Sequence, residues 1–599
     1  MKGKLRPGQG MKQARPRLAG VVLGVIAAAV AACSFRAKTS GGAAGSGVAG
    51  ASGSGTGGGG AGGGAGVASG AGGVIGGSGS AGSGGVGGNS ASTGAFPPPI
   101  NGVTSVSATG PNATPPIPSD AAKKFTGTAD ASRNPELVYP NDHVLFPPNV
   151  FGVEIHWRPG SAMNTLFELS FKGASLEHVV YTRCQPLADG CLYSPPDDVW
   201  GPIAQANLGG TNVQLTVRGT DDDGMAVGTS STFSLAFAKD ALRGGLYYWT
   251  TSQGSGIMRR DFGDTTKTAA ERFIGTQFTG GTCVGCHALS RDGAKIIASA
   301  GGEYDGRLLL FDVAHAQPAV PFPLTQRSQF ESWSPTGGQF VGVYTDDRKT
   351  GPSNLLLFDG MTGASASAIE LGGLRADHPD WSQDGNRIVF TSVDPTGSYA
   401  DQEPGHAGIS YVDFVAGAWS APKSLVAAVD GKNHYYPAIG PDNTTLVYDE
   451  STCASGSGTY GKECNADTDP TATLWTTRLP PSAVTPVALG LANMPGVADA
   501  GNASLTNSFP KWAPFVFHLS EQQNLLWLTF SSTRRYGLRQ PPPGGHVESD
   551  VGNLIWMVGI NPGSSSADPS FAAFALPFQD ITTSNHIAQW TEKVVPVIP

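Results

Sequence analysis

Two cysteines and a histidine, Cys283, Cys286 and His287, stand in the pattern Cys-x-x-Cys-His. Two thiols at this spacing can both form thioether bonds with a haem, and the imidazole beside them is then fixed below the iron as its proximal ligand. The chain has only seven cysteines and 11 histidines, so the five-residue pattern is rare by chance. These residues therefore predict a covalent haem c with His287 on the iron.

The motif resembles the attachment site of c-type cytochromes, which implies electron transfer. In those proteins it opens a helical domain, whereas here ALSRDGAK follows and predicts a strand and a turn. The preceding TTKTAAERFIGTQFTGG predicts at most one helix. Two alternatives stay open. Cys283 and Cys286 could form a disulfide, with His287 at the repeat-start position that His378 also fills, or the three side chains could bind zinc, although no second Cys-x-x-Cys is nearby.

The motif also begins a series of repeats. Each unit has an apolar or tryptophan anchor, a polar turn built on Asp-Gly or a related pair, and an apolar strand. The period is about 45 residues at first, as in four-stranded propeller blades. The units begin at His287, Glu331, His378, Tyr435 and Phe509.

These units resemble the TolB-type propeller repeat, in which a W-S-P-D-G-K-like turn precedes an I-A-F-like strand. Residues 334–337 and 382–385 match it best, and the resemblance spans roughly residues 286–562. Residues 244–263 and 571–590 predict one further blade that is shared between the two ends of the ring. The resemblance therefore implies a propeller of about six blades over residues 244–599.

Residues 135–240 precede this propeller and predict a different domain. They contain five or more short strands separated by turn residues, similar to immunoglobulin or fibronectin type III modules. The predicted fold class is therefore all-β, with a β-sandwich followed by a propeller. Nothing catalytic is visible in the sandwich.

The N-terminus predicts export. Basic residues precede an apolar run at residues 18–30, which is too short to span a membrane comfortably and is typical of a signal peptide. The run ends Val-Ala-Ala-Cys33, which resembles a bacterial lipobox. That resemblance implies lipidation of Cys33 and, with Ser34 after it, placement in the outer membrane. Ordinary cleavage with an incidental Cys33 is the alternative.

Residues 34–134 are rich in glycine, alanine and serine and then in proline. Such a composition cannot bury enough apolar surface to offset chain entropy, so it predicts a disordered tether. Residues 1–33 form the predicted signal peptide and lipobox.

The remaining cysteines predict two local disulfides in an oxidising compartment. Cys184 and Cys191 bracket one turn-rich loop, and Cys453 and Cys464 bracket another.

A haem iron would also need a sixth ligand or an open site. Blade-start residues face the channel of a propeller, so the candidates for the sixth iron ligand are His378, His434 and His586. For each, the alternative is a histidine that forms hydrogen bonds within its own turn. His586 is the most interesting because ring closure would return it to the first blade. Residues 220–224 and 465–469 offer carboxylates for calcium but lack the full spacing of a calcium loop.

The sequence thus predicts a lipid-anchored envelope protein with a redox role and a redox partner. The first alternative is a haem-free propeller that binds envelope proteins or glycans, and a haem-dependent oxidoreductase is the second. Charged residues make up 14% of the chain and the net charge is −9, which gives no electrostatic reason to expect nucleic acid as a partner.

Overall fold

A computed structural model describes residues 104–110 and 114–598, apart from 253, 265, 268, 302–304, 345–353, 394–398, 401–402, 453–468, 503–504 and 545–550. Cys33 and the predicted pair Cys453 and Cys464 lie outside the described residues. Among the described residues, no helix is both long enough and apolar enough to cross a membrane.

The N-terminal elements build a β-sandwich. One sheet has the strand order β1-β7-β6-β10-β11-β2, with β12 pairing with β10 and β4, and the other has the order β3-β5-β9-β8. In chain order the elements are β1 Thr104–Thr109, α1 Ala121–Lys124, β2 Thr128–Ala129, a 3-10 turn Ala131–Arg133, β3 Glu136–Tyr139, β4 Val144–Phe146, β5 Ile155–Arg158, β6 Leu166–Lys172, β7 Leu176–Thr182, β8 Gln185–Leu187, β9 Gly190–Tyr193, α2 Asp197–Ala206, β10 Val213–Thr220, β11 Ala226–Thr229 and β12 Phe233–Phe237.

Period-2 alternation of side chains explains this sandwich. Val213, Leu215 and Val217 on β10 are buried, while the residues between them are more exposed. Trp157 of the second sheet meets Phe167 of the first edge to face, with ring centroids 5.4 Å apart. The two sheets therefore share one core.

The predicted tether is wrong at its C-terminal end. β1 pairs in parallel with β7, and Phe125 is buried against Tyr181. The Arg183 guanidinium donates to the carbonyl oxygens of Pro115 and Pro116. The β-branched TSVSAT run and scattered apolar residues provide enough strand pairing and burial to order this segment. Its proline content had favoured the prediction of disorder.

The rest of the described chain forms a propeller. In chain order the strands are β13 Gly245–Thr250, β14 Gly256–Asp261, β15 Glu271–Gly275, β16 Val284–Leu289, β17 Lys295–Ala300, β18 Arg307–Asp312, β19 Gln317–Pro318, β20 Phe330–Trp333, β21 Gln339–Val343, β22 Leu355–Asp359, β23 Ser365–Ile369, β24 Arg375–Trp381, β25 Arg387–Val393, β26 Tyr399–Ala400, β27 Glu403–Pro404, β28 Ala407–Val415, β29 Ala418–Trp419, β30 Lys423–Val426, β31 Asn433–Ile439, β32 Thr445–Ser451, β33 Thr473–Arg478, β34 Val487–Ala488, β35 Asn507–Trp512, β36 Phe517–Ser520, β37 Gln523–Ser532, β38 Leu554–Ile560, β39 Phe574–Ala575 and β40 Asn585–Thr591.

These strands form seven antiparallel sheets in the described chain: six of four or five strands, which are the blades, and the two-stranded ribbon β26-β27. Blade 1 has the order β15-β14-β13-β40, so the last strand of the chain completes the first blade. Blades 2 to 6 begin with the inner strands β16, β20, β24, β31 and β35. Each inner strand contacts the next, and β40 contacts both β16 and β35, which closes the ring. The predicted all-β class with a propeller is confirmed, and the strand pairing supplies the closure that residues 244–263 and 571–590 predicted.

The repeated turn closes the first hairpin of several blades. Ser290 Oγ donates to Asp292 and Ser382 Oγ donates to Asp384, at 2.7 and 2.6 Å. The glycine that follows each aspartate has a φ near +70 to +80° (Gly293 69°, Gly385 79°), where a Cβ is disfavoured. The Asp-Gly pair is therefore required by the backbone.

Three short helical segments interrupt the propeller: the 3-10 turns Thr276–Thr279 and Val497–Asp499, and α3 Gly490–Asn493. The helix predicted before the Cys-x-x-Cys-His motif is wrong. β15 occupies its centre because Ile274 is needed in the core between blades 1 and 2.

The sandwich packs directly on the propeller. The Ala572 amide donates to the His143 carbonyl oxygen, and the Tyr139 hydroxyl accepts from the Ala575 amide. Phe146 of β4 and Phe574 of β39 have ring centroids 4.9 Å apart. Both domains therefore contribute to one continuous hydrophobic core.

Candidate functional site

The inner strands carry an irregularity at the same position. In four blades one bulky residue has a left-handed backbone: His378 (φ 45°), Tyr436 (47°), Phe509 (52°) and Ile587 (50°). Each lies where the pairing with the next strand shifts register, as in a β-bulge. Such backbone positions are disfavoured for non-glycine residues, and they concentrate at sites where a side chain must be re-aimed.

These bulged residues meet on the axis and plug the channel. The rings of Tyr436 and Phe509 stack with centroids 3.8 Å apart, and Tyr436 lies 4.0 Å from His378. Phe330 of blade 3 contacts His378 edge to face at 4.4 Å. Ile587 of blade 1 joins the same cluster. Six inner strands thus converge on an aromatic plug, so the channel is not an open conduit.

The Cys-x-x-Cys-His motif supplies the blade 2 member of this plug. Cys286 lies in the same cluster, and β16 also shifts register between Val284 and His287. Because Leu289 and Trp381 hold equivalent pairing positions on their strands, Cys286 corresponds to His378 and His287 to Pro379. The hypothesis that His287 and His378 fill one position is therefore wrong by one residue.

The surroundings of His287 do not fit a haem ligand. Its side chain is 3% exposed, and burial lowers its pKa to about 4. The carbonyl oxygens of Tyr247 and Gly285 oppose that shift, but neither ring nitrogen makes a hydrogen bond of good geometry within the described chain. Cys286 and His287 line a cavity of 30 Å³, room for about two water molecules. A porphyrin cannot enter there without opening the plug.

The other predicted ligands do not converge on His287 either. His378 lines the same small cavity, and burial holds its pKa well below the usual value. His434 bonds through Nδ1 to the Ala407 carbonyl oxygen of the preceding blade (2.7 Å) and through Nε2 to Glu450 of the adjacent strand (3.3 Å), so it is bonded, although not within its own turn. His586 is fully buried and its ring lies 4.6 Å from Phe509. Only His378 shares a cavity with His287 among the described residues.

A larger polar cavity adjoins the small one and lies nearer the Ser-x-Asp-Gly turns, at the mouth of the channel; Glu331, Lys511 and Gln589 line both. Its volume is 100 Å³, and we call it the mouth cavity. Its charged and amide-bearing lining consists of Arg291, Glu331, Asp380, Gln383, Lys511 and Gln589.

Glu331 has no adequate partner in this cavity. Neither of its buried carboxyl oxygens accepts a hydrogen bond of good geometry from the described residues. Burial raises the pKa of Glu331 to about 8, against a smaller opposing effect of the Ser328 hydroxyl. The group is therefore largely protonated near neutral pH, and a cation beside it would restore its charge.

Asp380 is the partnered counterpart. It accepts from the Ile439 amide (2.8 Å) and the Ser332 hydroxyl (3.4 Å), and it lies 3.5 Å from the Lys511 ammonium. Burial still raises the pKa of Asp380, although Lys511 opposes the shift. In the mouth cavity, the Asp380 carboxyl is thus part of a hydrogen-bond network, whereas the Glu331 carboxyl is not.

The remaining site predictions divide into two groups. Cys184 and Cys191 form a disulfide, as predicted. In the segment 220–224, Asp221 pairs with Arg133 and accepts from two backbone amides, which is a turn and an ion pair rather than a calcium loop. Asp469 likewise accepts from Thr471. No group of three or more His, Cys, Asp or Glu side chains in the described part of the chain is arranged to hold a metal.

No protein-family model matches the chain, and no curated protein matches it. Among solved structures it is similar to TolB from Acinetobacter baumannii (10% identity, 63% of this chain and 79% of that chain, TM-score 0.35). It is also similar to a putative TolB from Agrobacterium tumefaciens (14%, 58% and 99%, 0.32) and to a chain of a nidogen/laminin complex (9%, 58% and 99%, 0.34). Likenesses this distant do not bear on function, and the propeller assignment rests on the strand pairing.

Sequence reasoning missed Glu331, Asp380 and Lys511. The sequence signal for these residues becomes visible when the six blade starts are aligned: GCHAL, QFESW, DHPDW, YYPAI, SFPKW and HIAQW. The fifth residue is always large and apolar, whereas the third and fourth residues differ from blade to blade. Charged residues at otherwise buried repeat positions indicate the channel lining.

Proposed function

We propose that this chain is a haem-free binding protein of the cell envelope, whose propeller takes a basic side chain of a protein partner into the mouth cavity. The observation that carries the proposal is Glu331, a buried carboxyl without an adequate partner beside a polar cavity. An isolated buried carboxylate is costly, and a lysine or arginine tip would offset that cost by pairing with it.

A protein partner is favoured over a glycan. Sugars are commonly held by exposed aromatic rings, but Trp333, Trp512 and Trp590 at this mouth are each only 6 to 7% exposed. Their indole N–H groups donate to Ala288, Ala438 and Thr529. These three tryptophans join neighbouring blades. Trp381, which also lines the mouth, is half-buried, packs edge to face against Trp419 and donates to the Gly385 carbonyl oxygen. At most one ring is therefore open to a sugar.

Envelope placement rests on the sequence. The apolar run at residues 18–30 and the Cys33 lipobox support export and a lipid anchor, with the outer membrane as the proposed location. The tether after Cys33 would let the mouth cavity reach partners in the periplasm or at the surface.

The partner class can be tested by peptide selection. The full chain in lipid nanodiscs is panned against a random peptide library, and selected peptides are measured for affinity. We expect lysine or arginine at one fixed position and at least tenfold weaker binding to Glu331→Gln. Glu521→Gln, an exposed acid on β36–β37, is the matched control. Selection without basic residues, or unchanged binding to Glu331→Gln, would contradict the proposal.

The same peptides should bind in a pH-dependent way. Because the free site holds a proton on Glu331 below about pH 8, binding of a cation must release it. We expect affinity to rise about tenfold per pH unit between pH 6 and 7.5 in the wild type, and to be flat in Glu331→Gln.

The haem c prediction is tested separately. A reduced pyridine haemochrome spectrum is taken on denatured protein that was exported in a host with c-type haem maturation. We expect no c-type band. A band that disappears in Cys283→Ala/Cys286→Ala would overturn the haem-free proposal and restore the redox role or a haem-dependent oxidoreductase.

A further inference from the structure

A second cavity lies between the sandwich and the propeller. Its volume is 540 Å³, within the range of small-molecule sites, which often occur at domain interfaces. Three parts of the chain form its walls: residues 149–152 of the sandwich, β14 with the turn after it, and residues 577–579 between β39 and β40. We call it the junction cavity.

Three phenylalanine side chains contribute to its walls. Phe262 is 6% exposed and stacks on Trp590 with centroids 5.3 Å apart. Phe578 meets Phe262 edge to face at 5.8 Å. Phe151 faces the same space from the sandwich. This wall suits an apolar ligand body.

One cation, Arg260, interrupts this apolar lining. Its Nε and Nη1 atoms are buried and make no hydrogen bond with the described residues, although the side chain as a whole is only half-buried. Asp261 and Asp264 act on its charge from a distance without forming an ion pair with it. The nearest ring, Phe578, is 5.8 Å from the guanidinium carbon. Its neighbour Arg259, on the opposite face of β14, is instead paired with Glu271 at 2.5 Å.

The other polar groups of the junction cavity are already used. The Asn149 amide bonds to both the amide and the carbonyl of Leu242. Both ends of the Gln579 amide are bonded to Ile555. The cavity is therefore largely preformed, and the Arg260 guanidinium and the exposed Asp197 carboxylate are the charged groups left to recognise a ligand.

Two buried guanidinium nitrogens without a hydrogen-bond acceptor are costly, and arginine cannot shed its charge. Its planar fork matches a carboxylate through two parallel hydrogen bonds. Asp197 lies on the cavity wall as an exposed group and disfavours a doubly charged anion. A singly charged carboxylate meets both conditions.

We infer that the junction cavity binds a small monocarboxylate with an aromatic or aliphatic body, whose carboxylate pairs with Arg260 and whose body lies against Phe151, Phe262 and Phe578. This inference is independent of the mouth cavity. Because the ligand would contact both domains, it would also stabilise their packing.

The test uses the full chain in lipid nanodiscs, with empty nanodiscs as the blank, and calorimetric titration with 4-phenylbutyrate. The neutral control ligand is 4-phenylbutyramide, which keeps the body and removes the charge. We expect saturable binding of the acid, and at least tenfold weaker binding of the amide. Equal binding of the two, or no saturable binding of the acid at millimolar concentration, would overturn the inference.

Substitutions in β14 test whether Arg260 is the residue that binds the carboxylate. Arg260→Met should reduce the affinity for the acid at least tenfold, to that of the amide, while Arg259→Met on the opposite face should leave it unchanged. Arg260→Lys keeps the charge without the fork and should retain part of the affinity, which keeps the test decisive should the methionine variant fail to fold. Full acid binding by folded Arg260→Met would disprove the assignment.

Discussion

The mouth cavity and the junction cavity each hold an ionisable group that lacks hydrogen bonds at buried atoms, and the two groups are of opposite sign. The first holds the Glu331 carboxyl at the centre of the propeller, and the second holds the Arg260 guanidinium between the two domains. A carboxyl can escape the cost of burial by binding a proton, whereas a guanidinium remains charged at any physiological pH. The two sites should therefore differ in how their stability and binding depend on pH.

The different charge of the two cavities also predicts different classes of ligand for them. The mouth cavity has both signs of charge, since Asp380 and Lys511 form a pair beside Glu331. The junction cavity has aromatic walls and one cation with an exposed acid at its rim. A polar cavity with a titrating acid suits a basic side chain, and an apolar cavity with a permanent cation suits an apolar monoanion.

The largest expected effect is a pH-dependent loss of stability due to Glu331. The pKa of Glu331 is about 8 in the folded chain, against an ordinary value of 4.5. Between pH 4.5 and pH 8 the unfolded chain therefore releases a proton that the folded chain keeps. Stability therefore falls as pH rises through this window, by at most about 5 kcal/mol. Urea unfolding at several pH values should show that Glu331→Gln removes this fall.

His287 and His378 line the small cavity beside the plug and have lowered pKa values, so their contribution to stability rises with pH through the ordinary histidine range and partly opposes the effect of Glu331. The difference between wild type and Glu331→Gln isolates the glutamate. Glu521→Gln should keep the wild-type slope. A slope that survives in Glu331→Gln would show that the mouth cavity does not hold its acid neutral.

The next largest effect concerns Asp380. Asp380→Ala leaves the Lys511 ammonium and the Ile439 amide without their acceptor, and breaking a buried pair in this way should cost about 3 kcal/mol of unfolding free energy. Asp380→Ala/Lys511→Met should recover most of that loss. Denaturant unfolding of both variants checks this, and a double variant as unstable as Asp380→Ala would show that the pair does not act as a unit.

The fold could be predicted because its repeats are local. The Asp-Gly turns at Gly293 and Gly385 and the alternating strands report directly on hairpins, and the unmatched strands at the two ends of the chain indicate closure. The boundary of the tether was wrong because the order of residues 104–134 comes from distant partners. Arg183 and Tyr181 fix that segment, and no local composition records them.

The candidate site was harder to predict because bulges shift register. Cys286 enters the plug through an irregularity of β16 that the Cys-x-x-Cys-His spacing conceals. The motif predicts a haem, and the same residues also form a blade start whose position on the axis holds Cys286, Ile587 or a ring-bearing side chain in the different blades. Arg260 carried no sequence signal, since its isolation depends on which residues of two domains surround it.

The smallest expected effect is a change in stability on substitution of Arg260, and it tests whether the charge in the junction cavity is independent of pH. Arg260→Met replaces a half-buried cation that has two unbonded nitrogens with an apolar chain of similar length, which should raise the unfolding free energy by at most about 1 kcal/mol. The gain should be the same near pH 5 and near pH 8, because arginine does not titrate there. Arg259→Met, which breaks the pair with Glu271, should instead lower stability by less than about 1 kcal/mol. A gain in Arg260→Met that changed with pH would mean that a titrating group shares the junction cavity, and the contrast with the mouth cavity would fail.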